Sequence, residues 1–203
     1  MNIIIAGIHT GIGKTLCAAV ICQALGYDYW KPVQAGDLEN SDSVFIKKNV
    51  SNPACYIHPE RYRLSIAASP HYAAMQDGLE IKPGDFTLPL TNKKLLIETA
   101  GGIMSPFAMN FLNIDLIQQF NLPVVLVSNN YLGSINHTLL TVNVLQQRNI
   151  TIQGLVFSGE IVDATKQYIL AYTQLPLLFS MPLFQKIDGS TIADFAKTVS
   201  INL

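Results

Sequence analysis

Hydrophobic and polar positions divide the chain into two alternating kinds of segment. Short runs that are apolar at most positions cover 2–6, 27–31, 94–98, 124–128, 152–157 and 177–181. Runs of this length without polar alternation predict strands covered on both faces. Between them lie stretches of helical length at 14–24, 41–48, 114–120, 134–148 and 164–173. Within 134–148, Ile135, Leu139, Val142 and Leu145 recur near helical period and make one apolar stripe. Asp163 is the expected N-cap of the last helix. The alternation predicts an α/β fold, a doubly wound and mostly parallel sheet with helices on both faces. Ligands of such folds sit beyond the carboxyl ends of the strands.

One stretch, 53–91, interrupts the alternation. Pro53, Pro59, Pro70, Pro83 and Pro89 punctuate it, and only 70–76 reads as a helix. It is expected to leave the sheet and pack near the substrate or a partner subunit.

Composition narrows the function classes. A chain of 203 residues is expected to form one domain, 1–203. With 49% hydrophobic and 13% charged residues it can bury a sizeable core and has apolar surface to spare for an oligomer interface. A formal net charge of −1 leaves no electrostatic footprint for nucleic acid or an anionic membrane. No apolar run reaches the roughly 20 residues a membrane span needs. Residues 1–6 lead directly into a Gly-rich loop, so no signal peptide is expected. Cys17, Cys22 and Cys55 are odd in number and scattered, which fits a reducing cytoplasm better than a disulfide framework.

The strongest chemical signal is Gly7-Ile8-His9-Thr10-Gly11-Ile12-Gly13-Lys14-Thr15, placed after a strand and opening a helix. That context is what a P-loop requires. Glycines let backbone N–H groups converge on phosphate oxygens, and the helix N-terminus adds partial positive charge. Lys14 is expected to reach the β- and γ-phosphates, and Thr15 to offer its hydroxyl to Mg²⁺. Gly11, Ile12, Gly13, Lys14, Thr15 and Leu16 are therefore the expected triphosphate cradle for ATP. Five residues, rather than the common four, separate Gly7 from the Gly13-Lys14 pair. Glu98 ends an apolar strand before a Gly-Gly turn, and a charge at that edge of the sheet is a site candidate.

Five segments occur in the order seen in dethiobiotin synthetases. They are the P-loop with its long spacing, Lys31-Pro32-Val33-Gln34-Ala35-Gly36, Asn40-Ser41-Asp42, Glu98-Thr99-Ala100-Gly101-Gly102, and Leu132-Gly133-Ser134-Ile135-Asn136-His137. The chain resembles that family over its first two-thirds and matches it weakly beyond. The resemblance implies an ATP-dependent ligase that makes dethiobiotin from 7,8-diaminononanoate and CO₂. One amine becomes a carbamate, the γ-phosphoryl group activates it as a mixed anhydride, and the second amine closes the ring.

By the same resemblance, Lys31 faces the carbamate and the transferred phosphoryl group, with Lys14 and Thr10 completing the catalytic set. Thr15, Asp42 and Glu98 hold Mg²⁺. Thr10, Lys31, Ala35 and the backbone of Ala100 and Gly101 contact the substrate, with Gly101 also near the phosphates. Gly133, Ser134, Ile135 and Asn136 bind the substrate tail of a neighbouring subunit, which implies a homodimer with shared sites; Ser134 or Asn136 also caps that helix. Ser158, Pro182, Leu183 and Phe184 lie where the family holds the nucleotide base. The family often has Asn-Asp where Ser158-Gly159 stand here, so loose base selectivity is expected. Ala35 stands where many relatives carry Ser or Thr, and Gly11 replaces an acidic residue of some members.

The competing reading is a switch ATPase that dimerises around ATP. Its P-loop carries an extra lysine five residues before the P-loop lysine, and here that position is His9. A non-catalytic nucleotide-binding scaffold has no evident need for Lys14, Lys31, Asp42 and Glu98 together. Cys55 with His58, and His137, read as structural.

Overall fold

The computed structural model describes residues 1–160, 162–201 and 203. Its centre is β1 (Ile3–Gly7), five residues buried without exception. A strand walled in on both faces has no position for a polar side chain, which is why the sequence run IIIAG is unbroken. Around it, β2 (Asp28–Trp30), β4 (Ile57–His58), β6 (Leu95–Glu98), β9 (Val124–Asn129), β10 (Ile152–Ser158) and β11 (Leu177–Met181) form a seven-stranded sheet in the order β11-β10-β9-β1-β6-β2-β4. Every pairing in it is parallel. The predicted α/β class therefore holds.

From β1 the chain first builds outward through β2 and β4, returns with β6, then crosses to the other side of β1 with β9. That reversal opens a crevice at the carboxyl ends of β1, β6 and β9. Register places Ile5 opposite Glu98 on one side and Val125 on the other. The P-loop and the Glu98 turn thus leave the sheet side by side.

Helix α1 (Lys14–Leu25) starts at the crevice and packs against α2 (Asp42–Asn49) and α7 (Gly189–Thr198). Covered on several sides, it is apolar nearly all round, KTLCAAVICQAL, and shows little amphipathic stripe. Helix α4 (Asn113–Phe120) precedes β9, and α5 (Ser134–Gln147) packs against α6 (Asp163–Thr173). Among the described residues, no helix is long and apolar enough to cross a membrane.

Three expectations change. Asp163 is the first helical residue, not the cap; Val162 precedes it, and Asp163 instead pairs with Lys166 at 2.9 Å across one turn. Gly133, in a left-handed conformation with φ +99°, is the N-cap of α5 in place of Ser134 or Asn136. The 53–91 stretch does not wholly leave the sheet. Its two-residue β4 forms the sheet's edge, and β5 (Tyr62–Leu64) pairs in parallel with β3 (Val33–Ala35). Strands this short leave no periodic trace. The helix at 70–76 is present as α3 (Pro70–Gln76). The antiparallel pair β7 (Pro106–Ala108) and β8 (Phe111–Leu112) and helix α7 were not predicted.

Gly36 explains how this stretch is fastened over the crevice. Its φ is +70°, and a Cβ there would lie 2.4 Å from the backbone N and Cα of Ala67. The two segments touch backbone to backbone, which only glycine permits. Gly36→Ala is expected to cost about 2 kcal/mol through left-handed strain and overpacking. In thermal unfolding Tm then falls by roughly 4–8 °C; an unchanged Tm would mean that Ala67 is not seated on Gly36.

Candidate functional site

Four segments deliver side chains to one point. Lys14 and Thr15 open α1; Lys31 follows β2; Asp42 is the first residue of α2; Glu98 is the last of β6. The buried Ser41 caps α2, its Oγ accepting the Val44 N–H at 3.4 Å, and so turns Asp42 toward the crevice. The Thr15 hydroxyl lies 2.8 Å from both Asp42 Oδ1 and Glu98 Oε1. Lys31 Nζ donates to Asp42 Oδ2, to Glu98 Oε1 at 3.2 Å and to the Thr99 carbonyl at 3.4 Å. Lys31 and Glu98 are almost wholly buried, at 4% and 1% exposure.

Burial by itself lowers the Lys31 pKa, but Glu98 and Asp42 outweigh it and the net shift is upward. Asp42 is held down, since Lys31 and the Thr15 hydroxyl overcome its desolvation. Glu98 is pushed up, mainly by burial, with Lys31 and the Tyr29 hydroxyl opposing. Tyr29 itself is raised well above the usual phenol range by burial and then by Glu98. Lys14 is different. Its ammonium donates to the His9 carbonyl at 2.9 Å, and burial followed by repulsion from Lys31 lowers its pKa to about 8.

Beside this cluster is a cleft of about 580 Å³. Its walls include Thr10, Gly11, Gly13, Lys14, Thr15, Lys31, Ala35, Asp42, Glu98, Ala100 and Gly101, all expected from sequence. They also include Gln34 and Ser105, which were not, and the segment 67–70, part of the stretch expected to pack near the substrate. The Gly101-Gly102 turn is braced from below by the buried Asn113, whose Nδ2 donates to the carbonyls of Ala100 at 3.0 Å and Gly102 at 3.1 Å. The Gly102 N–H is engaged by Ser105 Oγ at 3.2 Å.

Other expected residues stand outside this cleft. Ser158 wedges against the P-loop: a Cβ on Gly13 would lie 2.2 Å from its Oγ. Gly13 has φ +95°, so glycine is required there on both counts. Ile12 and Leu16 are buried beneath the loop. Pro182 and Leu183 are exposed, and Phe184 packs edge-on to Phe195 with ring centroids 5.3 Å apart. Gly133 and Asn136 are exposed at the start of α5, Ile135 is half-buried and Ser134 is buried. This segment neighbours the P-loop through Tyr131, whose ring lies 6.3 Å from that of His9 and whose hydroxyl bonds His137 Nδ1 at 2.8 Å. His58 Nε2 lies 3.4 Å from the buried Asp28.

Comparison with known proteins bears on what this cleft serves. A family model described as an AAA domain matches residues 1–191. A protein of Cytophaga hutchinsonii named ATP-dependent dethiobiotin synthetase BioD is 45% identical over 193 residues, 95% of this chain and 93% of that one. The chain belongs to the dethiobiotin synthetase family. Proteins of the same name from Christiangramia forsetii and Chlamydia pneumoniae are 47% and 40% identical, over 95% and 97% of this chain and 93% and 88% of theirs. Among solved structures, a ParA family ATPase from Chlorobium tepidum superposes with TM-score 0.57 at 11% identity, covering 98% of this chain and 99% of that one. The MinC:MinD cell division complex of Aquifex aeolicus superposes with TM-score 0.56 at 15% identity, covering 99% and 97%. At such identities these likenesses establish the fold alone.

Within this synthetase-family site, Tyr29 and Asn113 escaped sequence reading. Each is a buried residue with a polar tip, Tyr29 within a fully buried strand and Asn113 at the start of α4, and such a tip needs a partner. That requirement was the signal available.

The depressed Lys14 pKa carries a stability cost. Its folded pKa of about 8 lies below the 10.5 of an unperturbed lysine, so the unfolded chain binds more protons between those values and stability rises with pH across that window. Below it, the buried charge costs about 3 kcal/mol. Lys14→Met, which keeps the apolar stem, is expected to raise Tm at pH 7 by several degrees, with the gap to wild type closing as pH rises from 8 to 10.5. A Lys14→Met protein less stable than wild type at pH 7 would overturn this reading.

Proposed function

We propose that the protein catalyses ATP-dependent closure of the ureido ring of dethiobiotin from 7,8-diaminononanoate and CO₂. The observation that carries this reading is Lys31. It stands on the cleft wall, buried between two carboxylates, where it faces the space beyond the P-loop. A site that only hydrolyses a triphosphate has no use for a second buried ammonium at that point. The family's chemistry does, because phosphoryl transfer to a carbamate gathers negative charge beside the γ-phosphate.

In this scheme the P-loop amides and Lys14 hold the triphosphate, and nucleotide binding gives the underpartnered Lys14 ammonium its counter-charge. Thr10, which faces Gly101 across the cleft, and Lys31 orient the carbamate formed from one amine and CO₂. The carbamate oxygen attacks the γ-phosphorus, and ADP leaves. The second amine then attacks the carbamoyl carbon, expels phosphate and closes the ring. Ala35, Ala100 and Gly101 line the wall against which the diamine chain lies.

The residues present fit a divalent cation such as Mg²⁺. Thr15 has one hydroxyl proton yet sits 2.8 Å from two carboxylate oxygens, so its hydroxyl can donate to only one of the two. Thr15, Asp42 and Glu98 are thus a hard-oxygen donor set. Among the described residues no group of three or more His, Cys, Asp or Glu side chains surrounds a common point, which suits a cation that takes its other ligands from phosphate and water. Such a cation, when bound, neutralises charge on the β- and γ-phosphates.

Gly133 and Asn136, exposed at the start of α5 and with Ser134 and Ile135 outside the cleft of their own chain, support a homodimer in which this segment meets the carboxylate tail of the substrate in a neighbouring subunit. Ser158 and 182–184 offer little polar side-chain chemistry to a base, in keeping with loose base selectivity. The cysteines are free, which suits a reducing cytoplasm.

Incubation with 7,8-diaminononanoate, bicarbonate, Mg²⁺ and ATP should yield dethiobiotin by mass, with one phosphate per product. Lys31→Met should lower turnover roughly a hundred- to a thousandfold, with the fold and nucleotide binding retained. Nucleotide hydrolysis that is indifferent to the diamine would instead favour a switch ATPase.

A further inference from the structure

Glu98 has two oxygens and they face opposite ways. Oε1 lies toward Thr15 and Lys31, at 2.8 and 3.2 Å. Oε2 turns inward, where it accepts a hydrogen bond from the Tyr29 hydroxyl at 2.8 Å. Tyr29 lies on β2, the strand paired with β6, and is fully buried. Because the register sets Tyr29 opposite Leu96, its long side chain must run along the sheet to reach the carboxylate two residues further on. Its hydroxyl makes no other hydrogen bond among the described residues, so its whole polar function is this one contact.

We infer that Tyr29 is a positioning residue for the cation site: its hydroxyl fixes the rotation of the Glu98 carboxylate, keeping Oε1 presented to the crevice. This rests on the reading above that Thr15, Asp42 and Glu98 hold a divalent cation. A carboxylate anchored through one oxygen can turn about its last bond. Tied at Oε2, it offers Oε1 in one orientation only, and no rotational freedom is lost when the cation arrives. Partners that orient a ligating carboxylate typically change metal affinity 10- to 100-fold when removed. Tyr29 does not line the cleft, so its effect on substrate passes only through Glu98.

The test uses Mn²⁺ as a probe, with a non-hydrolysable ATP analogue, and follows free Mn²⁺ by electron paramagnetic resonance. Tyr29→Phe keeps the ring and removes only the hydroxyl. It is expected to weaken nucleotide-dependent Mn²⁺ binding about tenfold. Turnover at low Mg²⁺ should fall and be restored by excess Mg²⁺, with the KM for ATP at saturating Mg²⁺ unchanged; a packing defect would not be rescued this way. Equal Mn²⁺ affinity in wild type and Tyr29→Phe overturns the inference and leaves the cation site standing. Failure of the wild type to take up Mn²⁺ with nucleotide overturns both. Should Tyr29→Phe not fold, 3-fluorotyrosine placed at position 29 alone reports directly. Its ¹⁹F resonance should shift when Mg²⁺ is added to the nucleotide complex, and an unmoved resonance overturns the inference.

Discussion

The arrangement of the crevice depends on one buried ammonium. Lys31 and Glu98 are nearly inaccessible to water, and taking either charge out of solvent alone costs several kcal/mol. They are tolerated together because Lys31 meets both Asp42 and Glu98 and a backbone carbonyl besides. Each partner arrives from a different element: the end of β2, the first turn of α2, the end of β6. Losing Lys31 leaves Glu98 buried without its ammonium, and losing either carboxylate removes one of two counter-charges, so the cluster ties the local geometry of all three elements to one another. Thr15 adds the start of α1 to the same knot.

Much of this was legible in the sequence, and for identifiable reasons. The six predicted strands of the sheet and most helices left strong periodic or continuous apolar signals. The P-loop was legible because phosphate binding imposes its glycines and Lys14 at fixed spacing. Lys31, Asp42 and Glu98 were legible through family resemblance, and the structure brings Asp42 and Glu98 within reach of both Thr15 and Lys31. What escaped depends on distant contacts. The edge strand β4 has two residues, and its state is decided by pairing with β2, not by its own pattern. That 53–91 packs near the substrate was expected; that 67–70 is the part that does so depends on Gly36, which lets Ala67 approach from 31 positions away. Asp163 lost its capping role to the chain path before α6, where a one-residue shift is within the usual uncertainty of helix ends.

Two lysines in one crevice are pushed in opposite directions by the same surroundings. Lys31 has two carboxylates and is held protonated. Lys14 has only the carbonyl of His9, is repelled by Lys31, and falls to about 8. The carboxylates are already committed to Lys31 and Thr15, so the P-loop lysine is left as a cation short of an anion. A triphosphate supplies what it lacks. The unfavourable state of Lys14 in the free protein is therefore the same fact as the affinity of the loop for phosphate, seen from the ligand-free side.

The Thr15 hydroxyl carries the argument one step further. It cannot donate a single proton to Asp42 and Glu98 together, although both stand at 2.8 Å. In the free protein Lys31 reaches both carboxylates from the other side, and the Tyr29 hydroxyl donates to Glu98 Oε2. A divalent cation held by Thr15, Asp42 and Glu98 would take over part of the carboxylate charge that now holds Lys31, and the ammonium would then be free to donate toward an anion in the cleft. On the proposed reading, cation binding and the availability of Lys31 for the reacting carbamate would be two sides of one exchange. This links the donor set of the proposed cation site to the residue on which the proposed chemistry turns, without a moving domain or a lid.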